Sequence, residues 1–361
     1  MSRLNTFLSG VRVIDLSRHL PGPFATLLLA DMGADVIKIE PPVGDDLRTM
    51  GPCGPHGHSV YFDAVNAGKT ALRMNLKDPD ARAAFLGLVE TADVLVESFR
   101  PDVMVRLELD YETVRQYNPG LVYCSLSGFG AKSPLSHKAG HDLNYVSVAG
   151  TLSRSAAGEP KLPESLLADN AGALFASLAI VSALYGRTRD QRGCHLDLAL
   201  ADAVLPLQLF QLAALGVSDQ SPAAYGVGQL NGGAAYYHIY ATSDGRHVSL
   251  AAIEHRFWDA FCNAAEHREW ISRHGDALPQ TALTREVADM FRTMSLAECE
   301  QRFDGVDCCL STILDLRNAV ASQHQRSRAL VQQGTDGVLQ SLLPVLVDGE
   351  PPLPRPPLRT Q

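Results

Sequence analysis

The chain has 361 residues, 46% of them hydrophobic and 20% charged, with 31 basic residues against 40 acidic ones and a formal net charge of −9. That balance excludes a disordered chain and suits a globular protein of about two domains. A net-acidic chain binds phosphate backbones poorly, so nucleic acid is not an expected partner, and any anionic ligand must be met by a local basic cluster. The most apolar stretch, Ala171–Tyr185, is interrupted by Gly172, Ser177 and Ser182. It falls short of the ~18 uninterrupted apolar residues of a membrane span and reads as a buried helix, so no membrane is expected. Met1–Ser9 has no charged region followed by an apolar one, so export is not expected. Seven cysteines without a C-x-x-C pair read as reduced thiols in a cytoplasmic protein, with no metal site.

The first half alternates strand and helix. Val11–Leu16 reads as a buried strand, and Pro23–Met32 as a helix with proline in its first turn and Gly33 past its end. Val36–Ile39 and Leu72–Leu76 are the next strands, and Asp78-Pro79 then caps a helix that runs to Val89. Val94–Glu97 and Leu121–Ser125 continue the series. Asp169 precedes a long apolar helix, and His195–Leu200 is one more strand. Strands separated by helices imply right-handed βαβ units and a Rossmann-like parallel sheet. The turn Ser17–Pro23 carries no G-x-G-x-x-G, which disfavours a nicotinamide or flavin dehydrogenase.

Composition changes at Ser218–Gly233, a loop-like stretch containing Gly226, Gly228, Gly232 and Gly233. Tyr236–Ala241 and His247–Ala252 read as strands joined by the turn Ser243-Asp244-Gly245, and Ser295-x-x-Glu298 opens a helix. The expected organisation is α/β: a large domain at 1–200, a linker at 201–224, a small α+β domain at 225–315, and a segment at 316–361 that returns to the large domain. Its proline-rich part, Pro351–Arg359, is expected to lie extended along the surface.

Four places could carry chemistry. His141, in Gly140-His141-Asp142-Leu143-Asn144-Tyr145, follows a strand and a glycine-containing loop, where ligands collect beyond the carboxyl ends of parallel strands. From position alone it reads more readily as an ordinary loop histidine bonded to its neighbours. Asp169 interrupts an apolar run where a helix begins, as an N-cap that the helix dipole keeps ionised. Glu254 opens a later helix, and its plain reading is an acid that suits the dipole. Lys38, Lys69, Arg73 and Arg100 form a diffuse basic set near strand ends, and Arg100 is placed to hold a phosphate.

Taken together these strings resemble a family. Leu8-Ser9-Gly10-Val11-Arg12-Val13-Ile14-Asp15-Leu16, Gly22-Pro23-Phe24-Ala25 and Ala30–Glu40 are similar to the opening of family III coenzyme A transferases. Glu97-Ser98-Phe99-Arg100-Pro101 and Cys124–Gly130 also fit, and the likeness extends to Asp307-Cys308-Cys309. Ala139–Tyr145 resembles the motif of the alpha-methylacyl-CoA racemase branch, where a histidine and an aspartate exchange protons. Asn170-Ala171-Gly172-Ala173 is closer to a transferase helix.

The resemblance implies an interlocked homodimer acting on an acyl-CoA thioester, with coenzyme A as part of the substrate and no tightly bound cofactor. It implies His141 and Asp169 as the proton-transfer pair, Glu254 from a partner subunit as their companion, and Asp142, Asn144 and Tyr145 in support. Lys38, Lys69, Arg73 and Arg100 are the expected CoA-binding cations. The favoured reaction inverts the α-carbon of a 2-methylacyl-CoA through an enolate, a step of lipid metabolism. The alternative is CoA transfer between carboxylic acids through an anhydride on Asp169.

Overall fold

The computed structural model describes residues 3–154, 159–217 and 224–360, so positions 218–223 of the expected glycine-containing loop lie outside the described residues. The chain forms two compact units. One comprises residues 1–149, 163–208 and 320–361, the other 150–162 and 209–319.

The larger unit contains β1 (Arg12–Asp15), β2 (Asp35–Glu40), β3 (Thr70–Arg73), β4 (Val94–Glu97), β5 (Val122–Ser127) and β6 (Cys194–Ala199). The smaller unit contains β7 (Tyr237–Ala241), β8 (His247–Ala251) and β9 (Leu310–Thr312). The chain then returns through the hairpin β10 (Val331–Gln333) and β11 (Leu339–Ser341) to β12 (Arg359–Thr360). Helices of the larger unit include α1 (Pro21–Asp31), α2 (Val60–Asn66), α3 (Pro79–Val89), α4 (Pro101–Arg106), α5 (Tyr111–Val114), α6 (Asp142–Val148), α7 (Leu167–Asp190) and α8 (Leu200–Ala203). Those of the smaller unit include α9 (Leu209–Leu215), α10 (His255–Ala264), α11 (Thr281–Arg292) and α12 (Leu296–Arg302), and two short helices, Leu316–Val320 and Gln323–Arg328, follow as the chain returns.

The large sheet runs β12-β3-β2-β1-β4-β5-β6, and every neighbouring pair is parallel. The central strands β1, β4 and β5 are largely buried on both faces, which is why they read as continuous apolar runs, while the edge strands β6 and β12 are partly or fully exposed. Ile14, Leu95 and Tyr123 pack with Phe85, Val89, Met104 and Val114 from α3, α4 and α5. Val13, Val96 and Cys124 alternate to the opposite face and are equally buried. Strand order reverses between β1 and β4, the place where the turns of such a sheet separate into a crevice.

Local chemistry explains several boundaries. Asp78 Oδ1 caps α3 by accepting the N–H groups of Asp80 (2.9 Å) and Ala81 (3.3 Å). α1 starts at Pro21, two residues earlier than expected, so that Pro21 and Pro23 both lie in its first turn, and Gly22 leaves room for Ser17: a Cβ there would lie 2.1 Å from the Ser17 Cβ. The strand expected at Leu72–Leu76 sits earlier, at Thr70–Arg73. Met74 and Leu76 kept the apolar pattern going because they wall a cavity beyond the sheet. Residues 201–208, read as linker, form most of α8 and a single 3-10 turn within the larger unit.

Helix α7 is half-buried rather than buried. Ala171, Ala176 and Ile180 face inward, and Ser177 Oγ donates to the Ala25 carbonyl of α1 (3.2 Å). Leu174, Leu178 and Tyr185 are 54%, 62% and 63% exposed. The helix is long and apolar enough to cross a membrane by length and composition, yet it packs on α1 and the sheet.

In the smaller unit, β7, β8 and β9 form an antiparallel sheet. Its core includes Tyr240, Trp258, Phe261 and Phe291. Ser295 and Glu298 cap α12 reciprocally: the Ser295 N–H donates to Glu298 Oε2 (2.7 Å), and the Glu298 N–H to Ser295 Oγ (3.3 Å).

The tail corrects an expectation. It does not simply lie on the surface, because Arg355 is buried and bidentate on Asp31 of α1 (2.5 and 2.6 Å). Arg355→Ala leaves a buried carboxylate without its partner and is expected to lower unfolding stability by about 3–5 kcal/mol. Urea denaturation checks this, and the double variant Asp31→Asn/Arg355→Met should recover part of the loss.

Candidate active site

The turns that follow β1 and β4 part at the switch point, tied at their base by the Arg18 N–H donating to Ser98 Oγ (3.0 Å). Beyond them opens a cavity of about 480 Å³ within the larger unit. His141, Asp169, Arg100, Asn144 and Tyr145 all line it, joined by Arg18, His19 and Lys138. Sequence positions 100, 141 and 169 thus meet in one hollow, on loops and helix starts at the carboxyl edge of the sheet.

Each side chain is held by its neighbours. Glu97, the last residue of β4, accepts the Phe99 N–H (2.8 Å) and so turns the chain that presents Arg100 at the start of α4. His141 is the N-cap residue of α6, and its own N–H is fixed by Asn144 Oδ1 (3.0 Å). Its side chain is exposed to the cavity. Tyr145 packs edge-on against Phe129 (5.2 Å between centroids) and donates its hydroxyl to the Gly140 carbonyl (2.5 Å). Gly128 and Gly140 admit that ring: a Cβ on either would fall 2.6 or 2.8 Å from it.

Asp169 differs from its expected role. It is the third residue of α7, behind the N-cap position Leu166, and the cap is supplied from a distance. Asp142 Oδ1 accepts the N–H groups of Ala168 (2.7 Å) and Asp169 (3.0 Å). Asp169 itself is not held as an ordinary carboxylate. Burial, reinforced by the Asp142 carboxylate, pushes its pKa up to about 7. Desolvation and like charge here outweigh the helix dipole, so an acid and a base are both accessible near neutrality.

Glu254 belongs to the smaller unit, where it is the exposed N-cap residue of α10 without a side-chain capping bond.

Two of the expected CoA-binding cations are not available to a ligand. Lys69 is fully buried, and its Nζ is bound to Asp15, Thr26, Asn66 and the Pro23 carbonyl at 2.8–3.0 Å. Burial lowers its pKa to about 8 against the pull of Asp15. Lys38 is likewise buried, on Asp45 (3.0 Å) and the Ser17 carbonyl (2.9 Å). Both lysines clasp the turn after β1. Arg73 is exposed, donates to the Pro42 carbonyl (3.4 Å), and is not among the residues that line this cavity.

The cations that do face open space were missed in the sequence. A second cavity of about 490 Å³ adjoins the first, sharing Arg18 and Phe99 with it. Ile39, Met74, Leu76 and Val103 give it apolar walls; Arg18, Lys77 and Arg106 add positive charge, Arg106 paired with Asp102, and Glu40 on the same wall is paired with Arg48. Arg18 and Lys77 were legible only as the residues just past β1 and β3, and Arg106 only as a last-turn helix cation.

The family model for CoA-transferase family III matches residues 8–358. The chain is a member of this family. Relatives within CoA-transferase family III carry two kinds of name. Alpha-methylacyl-CoA racemase of Mus musculus is 36% identical over 329 residues, which cover 89% of this chain and 81% of that protein. Acetyl-CoA:oxalate CoA-transferase of Acetobacter aceti is 39% identical over 260 residues, covering 70% and 65%. The crystal structure of a CAIB/BAIF family protein from Brucella suis superposes with a TM-score of 0.85 at 28% identity, covering 98% of this chain and 97% of that one. Racemases and CoA-transferases therefore stand at comparable identity to this enzyme-family chain.

Lys69→Met provides a direct check on the cation assignment. Leaving Asp15 buried without its partner is expected to cost about 3–5 kcal/mol in chemical denaturation. CoA affinity of the folded variant, by titration calorimetry, should stay within about twofold of the parent, whereas Arg106→Ala should weaken it about tenfold.

Proposed function

We propose that this chain is an acyl-CoA racemase that inverts the α-carbon of a 2-methylacyl-CoA. The observation that carries the reading is a histidine and a carboxyl group with a pKa near 7 on the wall of one cavity. The α-proton of a thioester is weakly acidic because its conjugate base is an enolate. One member of the pair removes that proton, the electron pair moves onto the thioester oxygen, and the other member returns a proton to the opposite face. First-turn N–H groups of α6 are suited to hold the oxyanion. The pair carries one proton in total, on His141 for one enantiomer and on Asp169 for the other.

The nucleotide end of CoA is proposed to occupy the apolar second cavity, its phosphates met by Arg18, Lys77 and Arg106, with Arg100 and Lys138 nearer the thioester. Glu254 is proposed to orient His141 from a second copy of the chain. The exposed Leu174, Leu178 and Tyr185 of α7 support a homodimer, since an apolar face of that kind is suited to cover by protein. Seven free thiols suit a cytoplasmic location.

CoA transfer is the second reading, favoured by the Acetobacter aceti relative and by Asn170–Ala173. There the Asp169 carboxylate attacks the thioester carbonyl, the C–S bond breaks, and CoA leaves as a thiolate from a mixed anhydride.

The deciding experiment incubates the enzyme with 2-methylacyl-CoA in deuterated water without an acceptor acid. Deuterium is expected at the α-position. Absence of deuterium, together with CoA movement to an added carboxylic acid, overturns the racemase in favour of the transferase.

The pH profile gives a second discrimination. A pair sharing one proton is inactive when both members are protonated and when neither is, so kcat/KM should be bell-shaped, with the same limbs for both enantiomers. A nucleophilic Asp169 needs only its ionised form, so transfer should rise through about pH 7 and then level off.

Variants complete the set. His141→Ala and Asp169→Ala should each lower racemisation by about 100-fold or more while keeping one-sided exchange. An unchanged rate and pH profile in His141→Ala removes that residue from the mechanism.

A further inference from the structure

Two loops far apart in sequence must hold the proposed acid–base pair on opposite sides of one carbon. His141 is carried by the loop before α6, Asp169 by the first turn of α7. Between them stands Asp142, the residue after His141, which is buried. One of its oxygens accepts two backbone N–H groups of α7, those of Ala168 (2.7 Å) and of Asp169 itself (3.0 Å). A backbone N–H at a helix start requires an acceptor, and α7 has no capping bond from its own N-cap residue, Leu166.

We propose that Asp142 is a positioning residue for both bases: its side chain ties the start of α7 to the residue beside His141 and sets a second carboxylate next to Asp169. The proposal rests on the racemase reading for its consequence in catalysis, but its electrostatic half is independent of the reaction. The carboxylate acts in two ways. As an acceptor it anchors the start of α7 to the residue adjoining His141. As a charge it opposes ionisation of Asp169, adding to the effect of burial.

The charged surroundings single it out. Of the elements packed against α7 along its length, α6 contributes Asp142 and Tyr145, with His141 at its cap, and α8 contributes Asp202. α1 contributes Asp31, already bound to Arg355. On the sheet, β5 carries Tyr123 and Cys124, and β6 carries Cys194, His195 and Asp197. Arg18, His19, Arg100 and Lys138 stand elsewhere on the cavity wall. Asp142 is the charged group identified as raising the proton affinity of Asp169, and the Tyr145 hydroxyl is raised by burial and then by both aspartates.

Two substitutions separate the roles. Asp142→Asn keeps an oxygen that can accept both N–H groups but removes the charge. Asp142→Ala removes both. Alpha-proton exchange in Asp142→Ala is expected to fall roughly 100-fold, the loss typical of a misplaced catalytic group, with recovery to within about tenfold in Asp142→Asn. In Asp142→Asn the acidic limb of the kcat/KM profile should move down by about one pH unit.

The independent readout is the titration of Asp169 by NMR of carboxyl-labelled protein, its resonance assigned through Asp169→Asn. Its midpoint should move to lower pH in Asp142→Asn, and this holds whether the enzyme proves to be a racemase or a transferase. A parent enzyme without exchange activity but with a shifted Asp169 midpoint in the variant supports the coupling while removing the racemase. An unmoved midpoint in folded Asp142→Asn overturns the proposal. So does an Asp142→Asn that loses as much activity as Asp142→Ala, since then the retained acceptor rescues nothing.

Discussion

The parallel alignment of the seven strands is what brings the candidate site together. Strands that all run one way release every following turn at the same edge. Helices must return each time to the opposite edge, so the carboxyl ends collect loops from distant parts of the sequence. The reversal of order between β1 and β4 then forces the loops after them apart. Arg18 and Ser98 mark where that parting begins, and the cavity with His141 and Asp169 lies beyond it.

Charge is distributed along this edge in two regimes. Lys38 and Lys69 are withdrawn from water and spent on Asp45 and Asp15, which are themselves buried. Burial alone would push the Asp15 carboxyl up, but the two lysines with Ser17 and Thr26 hold it down at about 2. These charges make a rigid floor for the turn after β1. Arg18, Lys77 and Arg106 instead line the second cavity, Arg18 half-buried beside Phe99, Lys77 and Arg106 exposed, and Arg106 paired with Asp102 of its own helix. An overall acidic chain thereby keeps a locally positive hollow.

Much of this was legible in the sequence. Strand and helix order in the large unit followed from apolar runs punctuated by Asp78-Pro79 and Gly33, because a sheet buried on both faces leaves that pattern. His141, Asp169 and Arg100 were legible as polar residues just past strands or at helix starts, and they do share a cavity. What failed depended on contacts between distant residues. A lysine beside a strand looks the same whether it meets solvent or an aspartate 54 positions away, as Lys69 does with Asp15. The cap on α7 comes from a residue 26 positions earlier, so Asp169 was read as the cap itself. The outer face of α7 is as apolar as its inner face, and no periodicity separated them.

The pairing of Asp31 with Arg355 has a bearing on how the protein is made. The two residues are 324 positions apart. While the chain is still being synthesised, α1 has no counter-ion for its last-turn carboxylate, and the edge of β3 that takes up Arg359 and Thr360 stays bare. Early strands can therefore collapse on the ribosome but cannot close. The larger unit gains its final sheet edge only after the whole of the smaller unit has emerged, so a stalled nascent chain would present an open β-edge to chaperones and to its neighbours on the same messenger.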